Sequence, residues 1–121
     1  MDRSEVAGRT VRRGEIYLLD LSEHGGRLTK ERPVLVVQND IGNARSRETI
    51  VTAVRDRHGG RMLPIFVPVS RGVAGLPKDS IVDTGHILTV AGTRLGRRLG
   101  SLPASLMSAV DRALRISLDL L

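Results

Sequence analysis

The chain has 121 residues, enough for one domain with a modest core and too few for two. Its 19 Lys and Arg against 13 Asp and Glu leave a formal charge of +6, which favours a polyanionic partner, and one Tyr, one Phe and no Trp exclude the aromatic stacking platforms of RRM-type modules. The lack of Cys excludes disulfides, thiolate zinc sites and a thiol nucleophile, and no apolar run approaches the roughly 18 residues of a membrane span, so a cytoplasmic protein with no membrane partner is expected.

Residues 1–12 are polar and aperiodic, and are expected to form a flexible lead-in to a single domain over 13–121. "GEIYLLDL" (14–21) reads as a first strand, and "SEHGGRLTKE" (22–31) as a polar loop too long for a tight hairpin. Val34, Leu35, Val36 and Val37 follow without a polar interruption, the pattern of a strand buried on both faces. Arg32 therefore stands at the lip of a core, and Pro33 biases it towards extended geometry. Taken alone, it is either a solvated surface arginine or a guanidinium aimed at a partner. "NDIGNARSR" turns the chain, and "ETIVTAV" (48–54) is a third, β-branched strand. A basic turn, "RDRHGGRM", leads into "LPIFVPVS" (63–70), whose two prolines predict an edge or a bulge. "SIVDTGHILTV" (80–90) supplies one bent strand or two short ones, and "TRLGRRLGSL" one more. Beyond Pro103 the period changes: Leu106, Val110, Leu114 and Leu118 recur every four residues, as a helical stripe should, with Asp111 and Arg115 spaced for a surface pair. The elements predict a β-rich α+β fold, a small barrel of about five to seven short strands with a C-terminal α-helix.

No Walker loop or dinucleotide fingerprint is present, and His24, His58 and His86 lack metal-ligand spacing, so neither a metal nor a cofactor is expected. The glycines at 92, 96 and 100 are interrupted by Arg94, Arg97 and Arg98, which rules out a membrane-dimer reading and leaves Arg97 and Arg98 as a solvated face. The aromatic-poor core and the apolar end "ISLDLL" predict a homodimer.

Four ordered pieces, "RRGEIYLLDL", "RPVLVVQNDIGN", "LPKDSIV" and "RLGRRLGSLPASLMSAVDRALRISLDL", resemble the MazF/PemK family of toxin endoribonucleases, the mRNA interferases of type II toxin–antitoxin modules. The resemblance implies an SH3-like β-barrel, a homodimer, metal-independent cleavage of single-stranded RNA at short sequences by 2′-OH attack, and neutralisation by a cognate antitoxin. It also gives Arg32 the place of a catalytic arginine. A fixed, bidentate guanidinium stabilises the charge that builds on phosphoryl oxygens when a 2′-OH attacks, without a metal. Arg27, Lys30, Arg55 and Arg57 are then expected to position the RNA backbone.

Three departures from the family pattern stand out. Arg55 fills a slot that usually holds Thr or Ser, and Thr52, three residues earlier on a strand, points to the opposite face. The first loop, "GGRLTKERP", is one residue short and offers Arg27, Leu28 and Thr29 where the family commonly has a Gly-Ser-Glu-Gln-like stretch, so the acid of that stretch is absent. His86 and Leu88 replace a frequent Gln and Arg. Histidine is a capable acid or base near neutral pH, so His86 is the candidate proton-transfer residue, its other reading being a satisfied structural side chain. The missing groups keep two rivals in view: a decayed ribonuclease that retains RNA or antitoxin binding, and a binding-only toxin directed at a protein such as gyrase. Relatives of the second kind depend on a C-terminal Trp, which this chain lacks.

Overall fold

The computed structural model describes residues 10–20 and 31–121. Among the described residues, six antiparallel strands form one sheet: β1 (Glu15–Asp20), β2 (Glu31–Val36), β3 (Glu48–Asp56), β4 (Phe66–Val69), β5 (Ser80–Ala91) and β6 (Leu95–Ser101), in the order β4-β5-β3-β2-β1-β6. The α-helices among the described residues are α1 (Asp40–Arg45) and α2 (Ala104–Ser117). No helix among the described residues is long and apolar enough to cross a membrane.

The continuous apolar run of β2 finds cover on both faces. Leu35 packs with Ile16, Val54, Val82, Val110 and Ala113 under α2, while Val34 and Val36 join Tyr17, Leu19 and Val51 in a second cluster on the other face. Val11 also packs in that second cluster. Each such side chain contributes roughly 1.5–3 kcal/mol by leaving water, which is why a chain so poor in aromatics still holds a sheet. The prolines sit where a ladder tolerates them. The β2–β3 rungs start at Val34, one residue past Pro33, and Pro68 lies in the outermost strand β4, so of the edge or bulge expected from the two prolines the structure has the edge.

The fold is the expected β-rich α+β class, with one refinement to the barrel. Among the described residues, β4 and β6 share no hydrogen bonds; the curled sheet stays open, and a 3-10 turn at Val73–Gly75 packs against β6. The approach is close enough that a Cβ on Gly75 would overlap the Leu99 carbonyl, and one on Gly100 would lie 2.6 Å from the Ala74 carbonyl carbon. The "NDIGNARSR" segment, expected as a turn, contains the short helix α1. Asn39 caps it by accepting from the Gly42 N–H at 2.7 Å, and buried Asn43 uses its amide fully: it donates to the Gln38 carbonyl and Asp40 and accepts from Gln38 and Thr49.

Helix α2 places Val110 and Ala113 on β4 and β5, but the apolar stripe ends a turn early: Leu118 is 54 % exposed. Asp111 pairs with Arg13 at 2.6 Å and not with Arg115, and the same arginine donates from Nε to the Val37 carbonyl at 2.8 Å. One side chain therefore joins the start of the sheet to the helix across 98 residues of sequence.

Glycine substitutions separate backbone strain from steric overlap. Gly72 and Gly75 both have positive φ, +91° and +75°, but a Cβ on Gly72 meets nothing within 4 Å. Gly72→Ala should cost only the left-handed strain, about 1–2 kcal/mol, while Gly75→Ala should cost at least about 3 kcal/mol in urea unfolding. Equal losses would show that the turn does not depend on its seat against β6.

Candidate active site

On a regular strand, residues three apart point to opposite faces, so Asp83 and His86 should not meet. They do meet, because β5 carries a large bulge. Its register against β3 jumps from Thr52↔Ile87 to Ala53↔Asp83, leaving Thr84, Gly85 and His86 without partners on that strand. The fully buried Thr52 hydroxyl holds the bulge, sharing its proton between the carbonyls of Asp83 at 2.6 Å and His86 at 3.0 Å. From the other side, Thr84 donates to the Ile65 carbonyl at 2.7 Å, and Ser117 of α2 donates to the Thr84 carbonyl at 2.7 Å.

The bulge turns Asp83 inward and His86 outward. The Asp83 side chain is 5 % exposed; one carboxylate oxygen accepts the Gly85 N–H at 2.9 Å, and the other takes His86 Nδ1 at 3.0 Å and Arg55 Nε at 3.3 Å. Burial pushes the carboxyl up, but the Gly85 N–H, His86 and Arg55 together outweigh it and hold Asp83 below the usual carboxylate range. An ionised carboxylate only accepts, so Nδ1 of His86 carries a hydrogen, and in the neutral imidazole the lone pair is on Nε2. The imidazole is 72 % exposed, oriented at one nitrogen and open at the other.

Arg55 is held twice, by Asp83 and by the Phe66 ring, whose centroid lies 4.8 Å from Cζ. Its terminal nitrogens remain available to an anion. Continuing the β2–β3 register past the last rung, Val34↔Ala53, sets Arg32 opposite Arg55. Among the described residues, the Arg32 side chain has no hydrogen-bond or ion-pair partner. Arg32, Arg55 and His86 rim one cavity of about 270 Å³, whose apolar wall includes Leu19, Val34 and Leu88.

The structure thus brings together three residues the sequence nominated: Arg32, His86 and Arg55. Arg57 lies just beyond, around a dent of about 100 Å³ shared with Arg55, His58 and Arg61. Arg27 and Lys30 lie outside the described residues. Arg98 is exposed, as expected of a solvated face, and it also pairs with the mostly buried Glu15 at 2.9 Å. Sequence reasoning missed Asp83 and the structural use of Thr52. The available signal was an acid three residues before a histidine with Gly85 between them, a spacing that matters only on a bulge.

The pattern of the PemK-like, MazF-like toxins of type II toxin–antitoxin systems matches residues 12–118. Endoribonuclease MazF6 of Mycobacterium tuberculosis is 41 % identical over 114 residues, covering 91 % of this chain and 98 % of the relative. Endoribonuclease MazF of Staphylococcus epidermidis is 40 % identical over 115 residues, covering 91 % and 92 %. Among solved structures, the Mycobacterium tuberculosis toxin MazF-mt6 superposes with a TM-score of 0.73 at 28 % identity, covering 88 % of this chain and 97 % of that one. An endoribonuclease in complex with its cognate antitoxin, from a mycobacterial species, shares the fold with a TM-score of 0.77 at 24 % identity, covering 92 % and 97 %.

The carboxylate network has a pH signature with a definite sign. Because Asp83 sits below its ordinary value when folded, its stabilisation is complete above the unfolded carboxyl's pKa, about 3.9, and is lost as pH falls through the lower folded value. Asp83→Asn should therefore cost about 2 kcal/mol at pH 7, with the gap to wild type closing below about pH 4. A gap unchanged between about pH 7 and pH 3 would remove the carboxylate's charge from the account.

Proposed function

The chain belongs to the PemK-like, MazF-like family of type II toxins and is a toxin endoribonuclease, and from that premise we propose that it cuts single-stranded RNA at the cavity rimmed by Arg32, Arg55 and His86. The observation that carries this assignment is a histidine anchored at Nδ1 by a buried carboxylate, open at Nε2, on the same rim as an arginine with no partner among the described residues.

The chemistry follows from those groups. His86 Nε2 accepts the proton of the ribose 2′-OH as the 2′ oxygen attacks the adjacent phosphorus. Negative charge grows on the phosphoryl oxygens, where Arg32 places two parallel N–H donors. The bond from phosphorus to the 5′ oxygen breaks, and that oxygen takes a proton from solvent at the open rim. The products are a 2′,3′-cyclic phosphate and a 5′-OH end. Arg55, tethered through Nε, replaces the family's hydroxyl as a grip on phosphate, and Arg57 extends the grip along the backbone with Arg27 and Lys30 of the first loop. Asp83 is a positioning residue that acts through His86.

Residues 13–121 form the toxin domain in this reading, preceded by 1–12, and the family match over 12–118 supports it. A cognate antitoxin is the neutralising partner, as the family's type II systems require. The exposed Ile116, Leu118 and Leu120 favour a homodimer, and an RNA substrate favours action in the cytoplasm. A binding-only toxin aimed at a protein such as gyrase has less support, since the relatives at 40–41 % identity are endoribonucleases and the rim holds an oriented acid–base group.

Two measurements check the chemistry. Purified protein incubated in EDTA with long single-stranded RNAs should give 2′,3′-cyclic phosphate and 5′-OH ends; intact RNA would favour the decayed or binding-only alternatives. Arg32→Lys keeps the charge but loses the fork, so the single-turnover rate should fall at least about a hundredfold with RNA affinity little changed. Arg55→Ala should instead weaken binding of all RNAs and lower the salt slope by about one. Full activity in both Arg32→Lys and Arg32→Ala would remove Arg32 from the chemistry.

A further inference from the structure

Arg32 and Pro33 line a second cavity, of about 420 Å³, as well as the candidate active site. The β1–β2 register explains the division. Leu19, opposite Arg32, faces the catalytic cavity, and Leu18, opposite Pro33, faces the larger one. The two cavities open on opposite faces of the same strand ends, with Arg32 on the rim of both. We infer that the larger cavity is the subsite for a nucleobase next to the cleaved phosphate, and that it selects a base carrying an exocyclic amine. The inference deepens the RNA-cleavage reading and rests on it.

A phosphodiester held by Arg32 has one nucleoside on either side, and only one can lie over His86. The other is delivered to the Pro33 side of the wall. Its volume falls within the roughly 300–1,000 Å³ of preformed small-molecule sites. One of its walls is close-packed backbone, running through Gly75 and Leu99, the contact that seats the 3-10 turn on β6. Next to that contact, Ala74 holds a left-handed backbone, φ +55°.

The lining distinguishes a base from a second phosphate. Arg32, Lys78 and Arg97 alone would suit an anion, but Asp56 and Glu31 stand among them and would repel one. Carboxylates beside cations, over apolar walls from Leu18 and Leu99, complement a base edge that presents donors next to acceptors. Asp56 is free to change partners: its pair with Lys78 is long, 3.4 Å, between side chains 41 % and 68 % exposed. A carboxylate accepts from the amine of cytosine, adenine or guanine. Two carboxylates, Asp56 and Glu31, ask for at least two N–H donors, which an exocyclic amine supplies; uracil has one ring N–H, and a carbonyl oxygen of its edge is then left against the second carboxylate.

The test is sequencing of cleavage sites from a randomised single-stranded RNA library treated with wild-type protein, Asp56→Asn and Arg97→Gln. Wild type should favour amine-bearing bases at one position beside the cut. Asp56→Asn, whose amide can donate to a carbonyl, should raise the relative rate for uracil there by about tenfold or more, leaving the rest of the motif in place. Arg97→Gln should alter the same position. A library cut by all three proteins with an unmoved base preference would overturn the subsite alone. A library left intact by wild type would overturn the cleavage reading itself, and the subsite with it.

Discussion

The hydroxyl of Thr52 has no contact with solvent, and the arrangement of the candidate active-site rim depends on it. Its bonds to the carbonyls of Asp83 and His86 hold three residues of β5 away from β3, and this displacement cancels the strand alternation that would otherwise part the acid from the histidine. Thr84, inside the bulge, is fastened to Ile65 and to Ser117 at the end of α2. The C-terminal helix therefore supports the site as well as closing the core. With both flanks tied, the Asp83–His86 contact is built into the fold before substrate arrives, which is what preorganised catalysis requires.

The positive charge of the chain divides into two kinds. Arg13 and Arg98 are bound into the fold by Asp111 and Glu15, and Arg55 is bound at one nitrogen by Asp83. These arginines hold elements together or stand in fixed orientations. Arg32 has no such tie among the described residues, yet Pro33 and the buried strand behind it restrict where it can go. An unpaired guanidinium on a fixed stem suits charge that appears only as a reaction proceeds. The +6 total draws in a polyanion, but single residues decide what happens to it.

Much of this was legible in the sequence where one local rule dominated. The run Val34 to Val37 predicted a doubly covered strand, the two prolines at 64 and 68 an edge, and the four-residue recurrence from Leu106 a helix, because burial and backbone geometry leave local marks. Arg32 was visible from its place before Pro33 and from family resemblance. The rest depended on long-range geometry. Nothing near Asp111 points to Arg13, nothing near Gly100 shows that a turn will seat against it, and "VDTGH" reads as plain strand until a threonine 31 residues upstream pins it. Arg55 looked like the loss of a needed hydroxyl; the structure gives it a fixed place between Asp83 and Phe66.

The central claim is that Arg32 and the Asp83-held His86 act on one phosphate. Its most direct test is the structure of this protein bound to a single-stranded RNA blocked by 2′-fluorine at the cut nucleotide. The account predicts that the phosphate lies within hydrogen-bond reach of both terminal nitrogens of Arg32, and that the 2′ substituent sits about 3–3.5 Å from His86 Nε2. A phosphate bound instead among Arg57, His58 and Arg61, with His86 turned to solvent, would contradict it.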